Sequence, residues 1–285
     1  MSDTDPHLPF PESDAASPGE PAPAPPAPDA LLPDDLRVPW SWMDVLIFLS
    51  FSLGIMVVLE YSLQTFLLTS GRVKMHELAA FVSSNTAYVS VRQFLWFTLM
   101  LVFLFFTLWP RRDAPFWDTI GWRPPRMGEL PRALFYPLCF FGGSVLAMVV
   151  ATASSFMAPK QPLPIQQFFL DRQSIYLMAI LAVIMAPIVE ETVFRGFLYP
   201  VFARSLGVPG GIALTGILFG LMHAQQLWGG WAQIVLLVIV GVIFTTARAR
   251  TASVIPCYLL HLGYNAIQFL GFFFSDAFHK LPLVK

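Results

Sequence analysis

Residues 176–199 read YLMAILAVIMAPIVEETVFRGFLY. An uncharged apolar run leads into Glu190, Glu191 and Arg195, and apolar sequence then resumes. In a soluble protein such a run would be a core helix, and the charges would mark its solvent face. The rest of the chain excludes that reading. Of its 285 residues, 56% are hydrophobic and only 12% charged, whereas soluble domains carry about 25% charged residues. Mean hydropathy is positive, and several apolar runs approach the ~20 residues that a bilayer requires. The composition therefore predicts an all-α, polytopic transmembrane helical bundle, with Glu190, Glu191 and Arg195 inside it.

Seven spans are expected, at about 43–68, 93–109, 134–157, 175–199 with Pro187 inside, 210–225, 231–247 and 252–274 with Pro256 near its start; an eighth helix would fit the same pattern. Trp40 and Trp42 read as interfacial anchors before the first. Residues 1–36 hold eight acidic residues, no Lys or Arg, and a run of Pro and Ala. They bury too little apolar surface to offset the entropy of ordering, so a disordered tail is expected there. Residues 37–285 form the membrane domain. No basic region precedes a short apolar core, so no cleavable signal peptide is expected. Cys139 and Cys257 lie far apart in apolar runs and read as small buried hydrophobes.

Arginine in the connections sets the orientation. Arg111, Arg112, Arg123, Arg126 and Arg132 follow the second span, Arg204 the fourth, and Arg248 and Arg250 the sixth. These connections share one side, which places the amino terminus in the cytoplasm, although Arg72, Lys74, Arg92, Lys160 and Arg172 fall on the other. A multi-pass protein of a bacterial plasma membrane is the expectation.

Charge inside a span is expensive, about 2.5–3.5 kcal/mol at a helix centre, and by default marks function. Neighbouring residues lie ~100° apart around a helix. Glu191 and Arg195, four apart, therefore share a face and can pair, while Glu190 points elsewhere. Two further polar groups follow: Phe219 with His223, and His261 with Asn265, each four apart. Glu60, in the first span, has no partner motif and reads as a polar helix contact or an interfacial residue.

Glu-Glu-x-x-x-Arg, Phe-x-x-x-His and His-x-x-x-Asn, in that order and each in a hydrophobic segment, resemble the CAAX prenyl protease and bacteriocin-processing family (CPBP, or Abi), intramembrane glutamic endopeptidases. The resemblance covers about 175–275. It implies that Glu190 and His223 activate water and that His261 and Asn265 stabilise the oxyanion, with Glu191, Arg195 and Phe219 structural. A base for water and donors aimed at the developing oxyanion are what amide hydrolysis requires.

No cofactor is expected. Glu190, His223 and His261 are nevertheless zinc-ligand types, which makes a metal-assisted version the variant to test. The implied partners are a peptide or membrane-protein substrate and the bilayer, with no nucleic acid. The competing readings are a non-catalytic scaffold or bacteriocin-immunity-type protein on the same fold, and a proton-coupled transporter. Intact motifs disfavour the first, and the lack of repeated broken helices disfavours the second.

Overall fold

Long apolar runs with few breakers become helices because a bilayer leaves no water for backbone groups to bond. The computed structural model describes residues 33–111, 114–128, 130–157, 161–169 and 171–282. They fall within one unit, Pro33–Lys285. Among them the regular elements are helical throughout, as expected. The expected tail lies outside the described residues except for 33–36.

Helix α1 (Trp42–Thr69) starts after Ser41, whose N–H donates to Asp44 Oδ2 at 2.8 Å. A short α2 (Met75–Ser84) leads to α3 (Thr86–Leu108). Helix α3 begins earlier than the expected 93. Asn85 caps it by accepting from Tyr88 N at 2.8 Å, and Arg92 can lie inside because its guanidinium meets Glu60 Oε2 at 2.5 Å. Glu60 therefore does have a partner, and Tyr88 and Gln64 also donate to it.

A one-turn α4 (Phe116–Thr119) precedes α5 (Arg132–Phe156). Next comes a helical run, Arg172–Met222, of 51 residues. It comprises α6 (Arg172–Ala179), a π-helical stretch Ile180–Met185, α7 (Ala186–Glu191), a second π-helical stretch Thr192–Leu198, and α8 (Tyr199–Met222). Straight, it would be about 75 Å long at 1.5 Å per residue, far beyond a ~30 Å hydrocarbon core. It breaks at Gly207, where φ is 74° and ψ is 163°, a conformation that glycine adopts without steric penalty. Helices α9 (Trp231–Thr251) and α10 (Ile255–Phe273) complete the bundle.

Among the described residues, five helical runs qualify as spans by length and composition. The expected fourth and fifth are parts of the single broken run. Helix α10, with 19 residues, carries His261, Asn265 and Gln268, which make it too polar to qualify.

Two close crossings hold the site-bearing helices. Helix α8 meets α9 at Gly216 and Gly220, where an added Cβ would lie 2.8 Å from Val242 N and Val238 N. Helix α5 meets α10 at Gly143 and Gly263, where a Cβ would come within 1.8 Å of Leu260 O and 2.0 Å of Phe140 O. Small residues let helix backbones approach where lipid supplies no hydrophobic drive.

Several expectations are corrected here. Trp40 is buried rather than interfacial, donating from Nε1 to Phe197 O at 2.8 Å. Asp35 and Leu36, expected in the solvated tail, are buried. Arg248, counted above as a loop charge, lies inside α9 and is buried, because that helix continues to Thr251 and ends only at Ala252 in the left-handed region. Arg112 and Lys160 lie outside the described residues.

Gly143→Val or Gly263→Val should abolish the folded, monodisperse species in detergent chromatography, because the clash is with backbone. Gly142→Ala, whose Cβ would sit at an ordinary 3.6 Å from Leu260 Cδ2, should melt within a few degrees of the parent.

Candidate active site

Two π-helical stretches bracket the glutamates. In the first, Ala186 N–H bonds Leu181 O, five residues back. The next carbonyl, Ala182 O, would then require the N–H of residue 187, which is proline and has none. Asn265 supplies the missing donor from α10, with Nδ2 to Ala182 O at 2.7 Å. Such π segments are rare and frequent at functional sites. Here the bulge and Pro187 together hold the helix that presents Glu190 and Glu191.

Glu191 and Arg195 are fully buried, at 0% exposure. Arg195 NH1 donates to Glu191 Oε1 at 2.9 Å, NH2 to Gly241 O at 3.0 Å, and Nε to Thr245 Oγ1 at 3.2 Å. Its guanidinium carbon stands 4.4 Å from the Phe219 ring centre. Every side of the cation is thus occupied, as burial in a low-dielectric interior demands. The contacts on α9, Gly241 and Thr245, carry no motif and were not legible in the sequence. They exist because the α8–α9 crossing brings that carbonyl and hydroxyl to the cation.

His261, on α10, reaches both glutamates. Its Nδ1 lies 2.8 Å from Glu191 Oε1, and its Nε2 lies 4.0 Å from Glu190 Oε2. A carboxylate paired with arginine accepts but does not donate, so the network assigns the proton to Nδ1 and turns Nε2 toward Glu190. Glu191 therefore orients His261 as well as pairing with Arg195, more than the structural role expected of it. Glu190 is buried, and its Oε2 has no hydrogen-bond partner.

His223 is not inside a span. Helix α8 ends at Met222 and His223 caps it, half-buried, with Nδ1 2.9 Å from Phe219 O. A carbonyl only accepts, so the proton is on Nδ1 and the Nε2 lone pair is free. Phe219 links the two histidines, its ring centre 5.2 Å from that of His223 and 5.7 Å from that of His261. Glu190, Glu191, His261 and Arg195 are thus brought into one cluster with Phe219, and His223 stands at its edge. Asn265 lies one turn along α10 from His261, committed by one of its two N–H groups to Ala182.

The zinc set fits less well. Glu190 and His261 approach each other, but among the described residues no three His, Cys, Asp or Glu side chains converge as metal ligands.

Residues 172–267 match the family model described as type II CAAX prenyl endopeptidase, Rce1-like, which bears out the resemblance read from the three motifs. The match begins at the first residue of α6 and closes just after Asn265 on α10, so it encloses every site residue named above. The matched segment is about a third of the chain, so the apolar helices show an integral membrane protein that is similar, over residues 172–267, to a protease family. No curated protein and no solved structure gave a significant match.

Glu191→Ala should lower stability by about 3–5 kcal/mol, the usual result of leaving a buried charge without its partner, read as a lower melting temperature and yield. Glu190→Gln, which removes no hydrogen bond that the structure contains, should melt close to the parent.

Proposed function

We propose that the protein is an intramembrane endopeptidase in which Glu190 activates a water for attack on a peptide carbonyl. The observation that carries this reading is the pairing of a buried, unpartnered Glu190 oxygen with His261 Nε2 at 4.0 Å. Atoms so spaced do not hydrogen-bond each other, yet one water can lie within reach of both.

Glu190 takes a proton from that water as the resulting hydroxide adds to the carbonyl carbon. His223, partly exposed at a helix end and with its Nε2 lone pair free, assists Glu190 in drawing off that proton. His261, its Nδ1–H held by Glu191, faces the reacting centre through Nε2 and donates to the developing oxyanion when that nitrogen carries a proton. The second N–H of Asn265 is a further donor to the oxyanion. The proton held by Glu190 passes to the leaving amine, so acid and base balance over the cycle.

A peptide or membrane-protein segment entering from one membrane face is the substrate class. The arginines between 111 and 132 support a cytoplasmic amino terminus. No step is assigned to a metal.

Comparison of membrane proteomes from cells carrying parent or Glu190→Gln protein would identify substrates, followed by assay on the purified protein in liposomes. Glu190→Gln and His261→Ala should each reduce kcat by at least 10²-fold, as expected for loss of acid–base groups, and His223→Ala should fall in the same range. Asn265→Ala should lose about 10²–10³-fold, the range for one oxyanion donor. Full activity in Glu190→Gln would refute the water-activating role. A strong chelator should leave the parent rate unchanged, and loss restored by zinc would replace this reading with the metal-assisted one.

A further inference from the structure

The second π-helical stretch repeats the difficulty of the first. Tyr199 N–H bonds Phe194 O, five residues back. The next carbonyl, Arg195 O, would require the N–H of residue 200, again proline. Its donor is Arg248 Nε from α9, at 3.2 Å. Arg248 is 2% exposed, and the rest of its guanidinium is occupied by Asp35: NH1 to Asp35 Oδ2 at 2.8 Å and NH2 to Asp35 O at 3.3 Å. Its carbon stands 5.5 Å from the Tyr199 ring centre.

Asp35 belongs to a strap, residues 33–42, that crosses the start of α8 and is tied down along its length. Leu36 packs against Tyr199 and Ala203. Arg204 donates to Val38 O at 3.2 Å and Trp40 O at 2.7 Å. Trp40 stacks on Phe197 and bonds its carbonyl, and Trp42 Nε1 donates to Ser205 Oγ at 2.7 Å. The strap lies outside the family-matched segment, yet it contacts the start of α8 and, through Trp40 and Phe197, the stretch that carries Arg195.

We propose that Arg248, held in place by Asp35, is a positioning residue for the proteolytic site. Its Nε–H closes the Arg195 carbonyl that Pro200 leaves open. It thereby fixes the backbone from which the Arg195 guanidinium reaches Glu191, and through Glu191 the ring of His261. Without that bond the π-helical stretch has a buried, unmet carbonyl, which favours rearrangement of the backbone at Arg195. The inference rests on the proposed peptidase reading for its kinetic consequence but not for its structural one.

The decisive variant is Arg248→Lys. Lysine keeps a cation for Asp35, so the fold need not be lost, but its three N–H groups share one terminal nitrogen, which, placed on Asp35, leaves no donor at the Nε position that meets Arg195 O. Expected is a fall in kcat of about ten- to a hundredfold, the scale of a small misplacement at a catalytic group, with KM within about twofold and a melting temperature close to the parent. Asp35→Asn, which retains an acceptor for NH1, should fall less.

Independently of any substrate, backbone amide exchange over residues 192–202 should accelerate in Arg248→Lys and not over α1 or α3. Parent kcat in Arg248→Lys, a loss only in proportion to unfolded protein, or unchanged exchange over 192–202 would each overturn the proposal. Absence of any cleavage by the parent protein would instead sink the peptidase reading, and the exchange measurement would still decide the role of Arg248.

Discussion

A guanidinium enclosed among helices in a membrane protein must have its nitrogens bonded and its charge balanced, because hydrocarbon offers neither water nor counterion. Arg195 meets that condition with a carboxylate from its own helix, a carbonyl and a hydroxyl from α9, and the face of Phe219. The other features of the site follow from satisfying it. The glycines of α8 and α9 have to be small so that Gly241 O reaches the cation. Glu191 is held on one side by Arg195, which leaves the same oxygen facing His261 in a single orientation. Glu190, one residue back and turned by ~100°, is the carboxylate left without a partner.

The same reasoning explains the irregular helix that carries the motif. Each π-helical stretch shifts the bonding pattern so that one carbonyl faces a proline, Ala182 facing Pro187 and Arg195 facing Pro200. Each orphan is met from another helix, by Asn265 and by Arg248. These side chains therefore determine whether the backbone can keep a shape that regular helical bonding would not produce. For Asn265 this has a chemical corollary. One N–H is spent on holding the helix, so its amide is fixed in rotation, and a fixed donor is what an oxyanion site requires.

The regular packing elsewhere serves as scaffold. The Glu60–Arg92 pair, with Tyr88 and Gln64, sits between α1 and α3 and binds that pair of helices by the same rule of mutual satisfaction. Many large apolar side chains on the outer faces of α1 and α5 are exposed. In a bilayer these are lipid-facing surface, so the burial that stabilises a soluble fold is replaced here by close helix crossings and buried polar pairs.

Sequence alone determined the helical class, the membrane setting and the cluster of Glu191 with Arg195, since these depend on composition and on a spacing of four within one helix. It also singled out Glu190, His223, His261 and Asn265, through motifs local to single segments. Their arrangement was decided by tertiary structure. That His261 bonds Glu191 rather than Glu190, that His223 caps a helix end, and that Asn265 faces a carbonyl depend on how α7, α8 and α10 cross, and no spacing within one helix encodes a crossing. A charge or an indole next to an apolar run looks exposed until a second helix, distant in sequence, supplies its partner, as for Trp40 and Arg248. Asp35 looked like tail because its partner, Arg248, lies 213 residues away.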